Sequence, residues 1–424
     1  MAGPRLGLRQ NLPQFALLVA VNALVGGMIG QERTVLPLLA EVEFGLDGMT
    51  TLMTFVVAFG VTKALVNLAA GRLADRFGRK PVLVAGWLFG IPVPFLLMLA
   101  PTWSWVVFAN VLLGVNQGLA WSVTVIMKID LVGPTRRGTA MGLNEAAGYG
   151  AVAVVAWLTG VIAESAGVRP APFFLGVAFA ALGLGLSVVF VRETAGHVDY
   201  ESARTDHAPR LTGRQVFALA TWRHRSLATI SRAGLVNNLN EGMAWGLFPI
   251  HFAMAGLDLA TIGLLVAVSP GVWGVGQLFT GALSDRIGRR WLIVAGQFTE
   301  AAGLLVVALG GSVTVWALGS ALFGAGTALA YPTLLAAVGD LAHPRWRASA
   351  VGVYRLWRDL GFAVGAIVAG TLADLYSVTV AIVAVAAVTA LSGADVAAGL
   401  DESLPRSIPS QPVPPNEPGQ PPPE

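Results

Sequence analysis

Gly71-Arg-Leu-Ala-Asp-Arg-Phe-Gly-Arg-Lys-Pro-Val-Leu-Val-Ala-Gly86 returns 210 positions later as Gly281-Ala-Leu-Ser-Asp-Arg-Ile-Gly-Arg-Arg-Trp-Leu-Ile-Val-Ala-Gly296, with nine identities in sixteen. A second stretch repeats at the same offset. Gly114, Leu119, Ala120, Asp130, Leu131, Pro134, Arg137, Ala140 and Gly142 recur as Gly324, Leu329, Ala330, Asp340, Leu341, Pro344, Arg347, Ala350 and Gly352. Two matches at one spacing mark a duplication, and its period is far longer than the roughly 20–50 residues of a solenoid repeat. The duplicated unit is therefore half of this chain.

What fills each unit is apolar. Of 424 residues, 55% are hydrophobic and 12% are charged, against about 25% charged in a soluble domain, which is too little charge to cover a surface facing water. The 51 glycines are dispersed through the apolar runs, as in membrane helices. Segments of the roughly 20 residues that span a bilayer lie at 12–36, 49–71, 81–100, 104–128, 139–163 and 171–191, and again at 227–253, 259–281, 291–310, 313–338, 349–373 and 377–398. The expected fold is an all-α membrane protein of about twelve transmembrane helices in two six-helix bundles related by a pseudo-two-fold axis. The first bundle takes residues 1–191, a polar linker 192–225, the second bundle 226–398, and a tail 399–424. Arg5 and Arg9 before the first apolar run imitate a secretory leader, but the run continues past Gly30 and reads as the first membrane helix. From Leu404 on, nine of 21 residues are proline, a composition that favours extended, disordered chain.

Loop charges orient the chain. Arg72, Arg76, Arg79, Lys80, Arg136, Arg137, Arg286, Arg289, Arg290, Arg345 and Arg347 fall in loops on one side. The other side carries Glu41, Glu43, Asp47, Glu164, Asp258 and Asp374, with Arg169 as its cation. By the positive-inside rule the basic side is cytoplasmic, so both termini are expected in the cytoplasm and the chain in a bacterial inner membrane.

The GxLADRxGRK loop after the second helix and its GxLSDRxGRR copy after the eighth resemble the signature loop of the major facilitator superfamily, and the resemblance covers about residues 10–400. It implies a secondary transporter with a cargo site between the halves. On this reading Gly71, Gly78, Gly281 and Gly288 shape the loops, with Gly71 and Gly281 permitting close helix approach. Asp75 and Asp285 are expected to accept from helix N-termini, and Arg76, Arg79, Arg286 and Arg289 to pair with acids on the facing half. Their alternative is a topogenic basic loop with turn glycines. Two family features are absent: Gly114 stands three residues before Gln117-Gly118, where many members carry arginine, and the fifth helix lacks the Gly-Pro motif of drug antiporters.

Ionisable residues inside membrane segments are costly and usually functional. Glu32 and Glu241 place one acid in the opening helix of each half and are the candidates for proton coupling; neutralisation of Glu32 by neighbouring Arg33 is the alternative. Lys63, two turns before Gly71, is a candidate for pairing with an acid or an anionic cargo, or for snorkelling to the interface, and Asn67 shares its face. Asn22, Asn116, Gln117, Trp121, Asn144, Tyr149, Asn237, Asn238, Trp245, Gln277 and Tyr331 are the remaining cavity candidates. Glu145, matched by Arg355, suggests latching across the halves, Glu145 towards Arg286 or Arg289 and Asp75 towards Arg355 or Arg358; Asp130, Asp340 and Asp359 complete the gating set, with Lys128 a structural support beside Asp130.

There is no P-loop, no zincin spacing among five histidines, no GxSxG elbow and no cysteine. The expectation is a non-enzymatic carrier without cofactor or metal, a monomer in the lipid bilayer whose partners are a small-molecule substrate and protons. The basic residues form no continuous face for nucleic acid. Proton-linked efflux of a small organic solute is the first reading; uptake of a small, possibly anionic metabolite by symport or facilitated diffusion is the second, and a membrane sensor or enzyme a distant third.

Overall fold

The computed structural model describes residues 7–46, 48–132, 137–197, 211–342 and 344–404; at 75, 137–141, 344, 345, 347 and 348 it describes backbone only. The Pro-rich tail from residue 405 and the central part of the linker, 198–210, lie outside the described residues.

A backbone surrounded by lipid must satisfy its own hydrogen bonds, and among the described residues the chain does so with twelve long helices. They are α1 Leu12–Val42, α2 49–77, α3 Arg79–Leu99, α4 Trp103–Val132, α5 Arg137–Ala166, α6 Ala171–Val189, α7 Arg225–Met254, α8 Leu259–Ile287, α9 Arg290–Leu309, α10 Val313–Leu341, α11 Pro344–Leu375 and α12 Val378–Gly399. Among the described residues eleven of them are long and apolar enough to cross a membrane. The exception is α7, where Arg232, Asn237, Asn238, Asn240 and Glu241 interrupt the apolar run. Its interior residues are buried against other helices, so packing supplies what hydropathy does not. No strand occurs among the described residues. The all-α architecture expected from the repeat is what the chain adopts.

The helices end where their sequence provides caps. The side chains of Asp258, Ser312 and Ser377 accept from the backbone N–H three residues on and start α8, α10 and α12. Helix α1 breaks at Thr34, whose hydroxyl donates to the Ala156 carbonyl, 2.8 Å away. Helix α4 contains a wide π-turn over Gln117–Trp121, an element often found at functional sites.

The halves meet chiefly along α5 with α8, α2 with α11 and α1 with α7, with α7 also touching α2. The α5–α8 crossing is close because it is built on Gly160 and Gly263, whose Cα atoms leave no room for a side chain. A short linker helix, 213–223, lies against α11 and ties to it through Trp357 Nε1, which donates to Thr221 Oγ at 3.0 Å.

The two signature loops fold alike. Gly78 and Gly288 turn the chain with φ of 90° and 98° and extended ψ, a combination open to glycine alone. Beyond each turn, Arg79 Nε reaches Asp130 at 3.2 Å and Arg289 Nε reaches Asp340 at 3.1 Å, within the same half. The N–H groups starting α3 and α9 donate to Glu193 and Glu402, carboxylates from the segments that follow α6 and α12. These contacts correct three expectations. Among the described residues the loop arginines Arg79 and Arg289 pair with acids of their own half, which stand at the repeat-matched distance. The helix N-termini are capped by Glu193 and Glu402, while Asp285 is held by Arg289 at 2.6 Å; the Asp75 side chain lies outside the described residues. Gly71 and Gly281 permit no close approach, since a Cβ at either would meet nothing within 4 Å.

Candidate functional site

A narrow cavity of about 20 Å³, room for about one water molecule, lies between the halves on the side of the basic loops. Lys63 and Asn67 of α2, Trp121 and Ser122 of α4, and Glu145 and Tyr149 of α5 form one wall; Tyr331 of α10 and Arg355, Arg358 and Asp359 of α11 form the other. Three cations face two carboxylates.

Asp359 is the hub. It accepts from Asn67, from Asn238 at 3.4 Å, and lies 3.8 Å from Lys63 Nζ and 3.6 Å from Arg358 Nη1. Lys63 does not snorkel: it stands over the rings of Phe59, Trp121 and Phe362 at 5.3–5.8 Å, a cation–π environment that offsets part of its desolvation. Ser122 joins the halves by donating to Asn67 at 2.6 Å and accepting from Arg355 at 3.3 Å. Glu145 accepts from Trp121 Nε1 at 3.1 Å and from Asn144 at 2.9 Å. The latch expected between Glu145 and Arg286 or Arg289 is not formed, since Glu145 points into the cavity wall while Arg286 is exposed and Arg289 is bound to Asp340.

Arg358 is the least satisfied member. Its guanidinium lies 3.9 Å from the centre of the Tyr331 ring and 5.8 Å from that of Trp273. Both Nε and Nη2 are buried without a hydrogen-bond partner. Those two N–H groups form one edge of the guanidinium fork, the edge that binds a carboxylate or phosphate through two parallel bonds. Tyr149 stacks on Trp273 with centroids 3.5 Å apart and meets Trp121 at 5.2 Å, so the fork opens beside an aromatic cluster.

Away from the basic side the cavity is roofed. Trp245 meets Phe59 at 5.0 Å and Phe55 at 5.5 Å, so it belongs to the roof and not to the pocket lining. Arg33 lies over Trp245 and donates to Glu241 at 2.6 Å, joining α1 to α7. This pair reassigns both opening-helix acids. Glu241 is matched by Arg33, whereas Glu32, fully buried beside Asn110, has neither carboxylate oxygen paired. Beyond the roof the halves are latched symmetrically. Glu164 at the end of α5 accepts from the Leu259 N–H that starts α8, at 2.8 Å. Asp374, 210 positions later at the end of α11, accepts from the Met49 and Thr50 N–H groups that start α2, at 2.5 and 2.8 Å. The cross-half latch thus stands at the end opposite the signature loops.

Other candidates tie the scaffold. Asn22 donates to the Asn144 carbonyl at 2.8 Å and accepts from Thr124; Asn116 donates to the Gly86 carbonyl and Gln117 to the Val25 carbonyl. Lys128 donates to Asn144, and Gln277 is buried outside the cavity lining. Arg76 is exposed over Phe77. Asn237 faces Glu300, an acid absent from the sequence-derived candidates although an acid within an apolar run marked it. Ser122 and Trp273 were also missed; a lone serine and a lone tryptophan carry no signal in a membrane helix.

A helical membrane protein of two matched halves, closed at one end over a polar seam, has the build of a secondary carrier. The chain belongs to the Major Facilitator Superfamily: that family's model matches residues 15–237 and again 230–422. It is a transporter and not an enzyme. It is 28% identical over 359 residues to an uncharacterized MFS-type transporter of Burkholderia mallei (strain SAVP1), covering 82% of each chain, and 25% identical to one of Salmonella typhimurium, covering 81% of this chain and 85% of that one. Its fold is similar to a mutant form of the nucleoside transporter NupG, with a TM-score of 0.73 at 15% identity, covering 92% of this chain and 100% of that one. It is also similar to the human organic anion transporter MFSD10, with a TM-score of 0.66 at 18% identity, covering 90% and 99%.

Proposed function

We propose that this chain exports small organic anions by alternating access, linked to protons, from the cytoplasmic side on which the basic loops lie. The observation that carries the reading is the open edge of Arg358. A buried guanidinium with two unpaired donors is expensive to leave unmet, and an anionic head group completes it. The excess of one cation over the carboxylates lining the cavity leaves room for one negative charge, and Trp121, Tyr149, Tyr331 and Trp273 favour a planar or apolar body behind it. Direction follows from the field. An anion leaving a cytoplasm that is negative inside gains about 2.3 kcal/mol per charge per 100 mV, so export uses the membrane potential directly, and an inward proton adds to it. Glu32 is the acid assigned to that proton, because it is buried with no cation beside it, and a proton is the occupant that removes the cost of an isolated buried charge.

The test is ligand-induced thermal stabilisation of purified protein, followed by flux in proteoliposomes at a clamped potential. Benzoate, salicylate and phenyl phosphate are expected to stabilise the wild type, and Arg358→Ala to weaken that binding at least tenfold, the equivalent of about 1.4 kcal/mol. Benzamide binding equally well, with Arg358→Ala without effect, would overturn the anion assignment. Glu32→Gln is expected to abolish flux driven by a pH gradient while leaving anion exchange intact.

A further inference from the structure

We propose that Glu300 on α9, outside the cavity, is a second proton-carrying site, and that it acts on transport through the asparagines of α7. The inference rests on the proton-linked reading above and adds a site to it.

Glu300 is fully buried. Its two oxygens accept from the amides of Asn237 at 2.6 Å and Asn240 at 2.7 Å, while the buried Thr327 of α10 donates to the Phe323 carbonyl at 3.2 Å. Thr389 of α12 donates to Asn240 at 2.7 Å and closes the fourth side. Charged groups are scarce around it. From α7 the field of Glu241 reaches it, a second negative charge already committed to Arg33; α10 and α12 contribute the threonines, and α9 itself contributes Gln297 one turn before. A carboxylate sealed from water, with no cation and a like charge on the next helix, is neutralised most simply by a proton.

The surrounding acceptors fit that occupant. Asn237 Oδ1 and Gln297 Oε1 are buried without partners, so acceptors wait beside an acid that has donors on both oxygens. A proton bound to one Glu300 oxygen turns it into a donor for an amide oxygen, and the amide turns about to supply it. At 2.6–2.7 Å the amides lie at the spacing of an O–H···O bond, which leaves no space for a metal ion between them.

The repeat shows that this acid is not part of the shared scaffold. At the 210-residue offset Glu300 falls on Gly90, and Gly326, which makes room for Glu300, falls on Asn116. A Cβ at Gly326 would stand 2.7 Å from Glu300 Cγ, and one at Gly90 would stand 2.7 Å from Asn116 Nδ2. The same polar-against-glycine contact is built in both halves, by an amide that cannot titrate in the first and by an acid that can in the second. Helix α7 conveys its state. Asn237 and Asn240 face Glu300, Asn238 reaches Asp359 in the cavity wall, and Glu241 holds Arg33 in the roof. Reordering the amides on one face of α7 therefore bears on both elements that seal the cavity.

The test needs no cargo, so its failure is separable from failure of the anion assignment. Infrared difference spectra of the full chain in lipid, recorded as pH is stepped, should show a protonated-carboxyl band that titrates in wild type, moves in Glu300→Asp and is missing in Glu300→Gln. The chain has no cysteine, so spin labels can be placed on the exposed positions of Arg72→Cys and Ala282→Cys without background. Their distance distribution should shift with pH in the wild type and in Glu32→Gln, and stay fixed in Glu300→Gln. Carboxyl bands unchanged in Glu300→Gln would overturn the proposal, as would a pH response that survives in Glu300→Gln and is lost in Glu32→Gln. Thermal stabilisation by sodium chloride but not choline chloride, abolished in Glu300→Gln, would overturn it in favour of a sodium site.

Discussion

The two halves of this transporter are alike where the chain turns and unlike where it faces the seam. Each signature loop uses a glycine at positive φ, an arginine held by an aspartate of its own half, and a glutamate from the segment after the sixth helix to cap the next helix. The seam-facing positions diverge at the same offset: Lys63 against Trp273, Glu145 against Arg355, Gly148 against Arg358 and Tyr149 against Asp359. Duplication supplied a symmetric scaffold, and the charges that line the cavity are departures from it. The side chains facing the seam are therefore found by asking where the copies disagree.

The likeness of the loops is not complete, and its largest expected failure is energetic. The Asp130 side chain is 8% exposed, whereas that of Asp340 is 20% exposed. Removing one partner of a buried pair costs about 3 kcal/mol or more, and of a more solvated pair about 1 kcal/mol. Arg79→Gln should therefore lower unfolding stability in detergent about three times as much as Arg289→Gln. Equal losses would mean that exposure does not distinguish the two loops.

The opposite end offers a closer match. Asp374 accepts two N–H groups of α2 and Glu164 one of α8. Caps of this kind are worth about 1 kcal/mol each, and here they stabilise only the state in which that end is closed. Asp374→Asn should raise the population open at that end roughly fivefold, by the relation of about 1.4 kcal/mol per tenfold, and Glu164→Gln should raise it less. Spin labels at Val42→Cys and Leu375→Cys, exposed positions in different halves at that end, report it; a larger effect from Glu164→Gln would break the ordering.

The fold was legible because two signals of different origin agreed. Apolar runs marked the helices, and the 210-residue repeat grouped them by six. Even α7, whose run is interrupted by polar residues, stands out as a segment at 227–253. Most residues of the cavity stand out in the sequence under two roles: Lys63, Asn67, Trp121, Tyr149 and Tyr331 as cavity candidates, and Glu145, Arg355, Arg358 and Asp359 as a gating set that the structure places in the cavity walls. Pairing does not. A sequence does not say that Arg33 reaches across to Glu241, leaving its neighbour Glu32 alone, because consecutive residues on a helix point about 100° apart. Nor does it say that the latch lies at the Glu164 and Asp374 end, since an acid at a helix end and the N–H groups it accepts from lie in different halves.

The smallest effect separates the two capping glutamates. Partial burial works against the charge of Glu193, but N–H groups of Arg79, Lys80, Thr194 and Ala195 donate to it and hold its carboxyl below the ordinary value of 4.5. Glu402, under the same opposing influence, is held down by Arg289, Leu404 and Arg290. A carboxyl whose value is lower in the folded chain binds fewer protons there than when unfolded, so its contribution is complete above about pH 4.5 and is lost as pH falls through the lowered value. Unfolding temperature should therefore drop below that pH in the wild type and drop less steeply in Glu193→Gln and in Glu402→Gln, each variant starting lower at neutral pH. Both carboxylates are largely solvated, so the changes should be small. Glu193, which accepts one bond more, should account for the larger share of the acid slope, and a larger share from Glu402 would show that bond count does not set the strength of these caps.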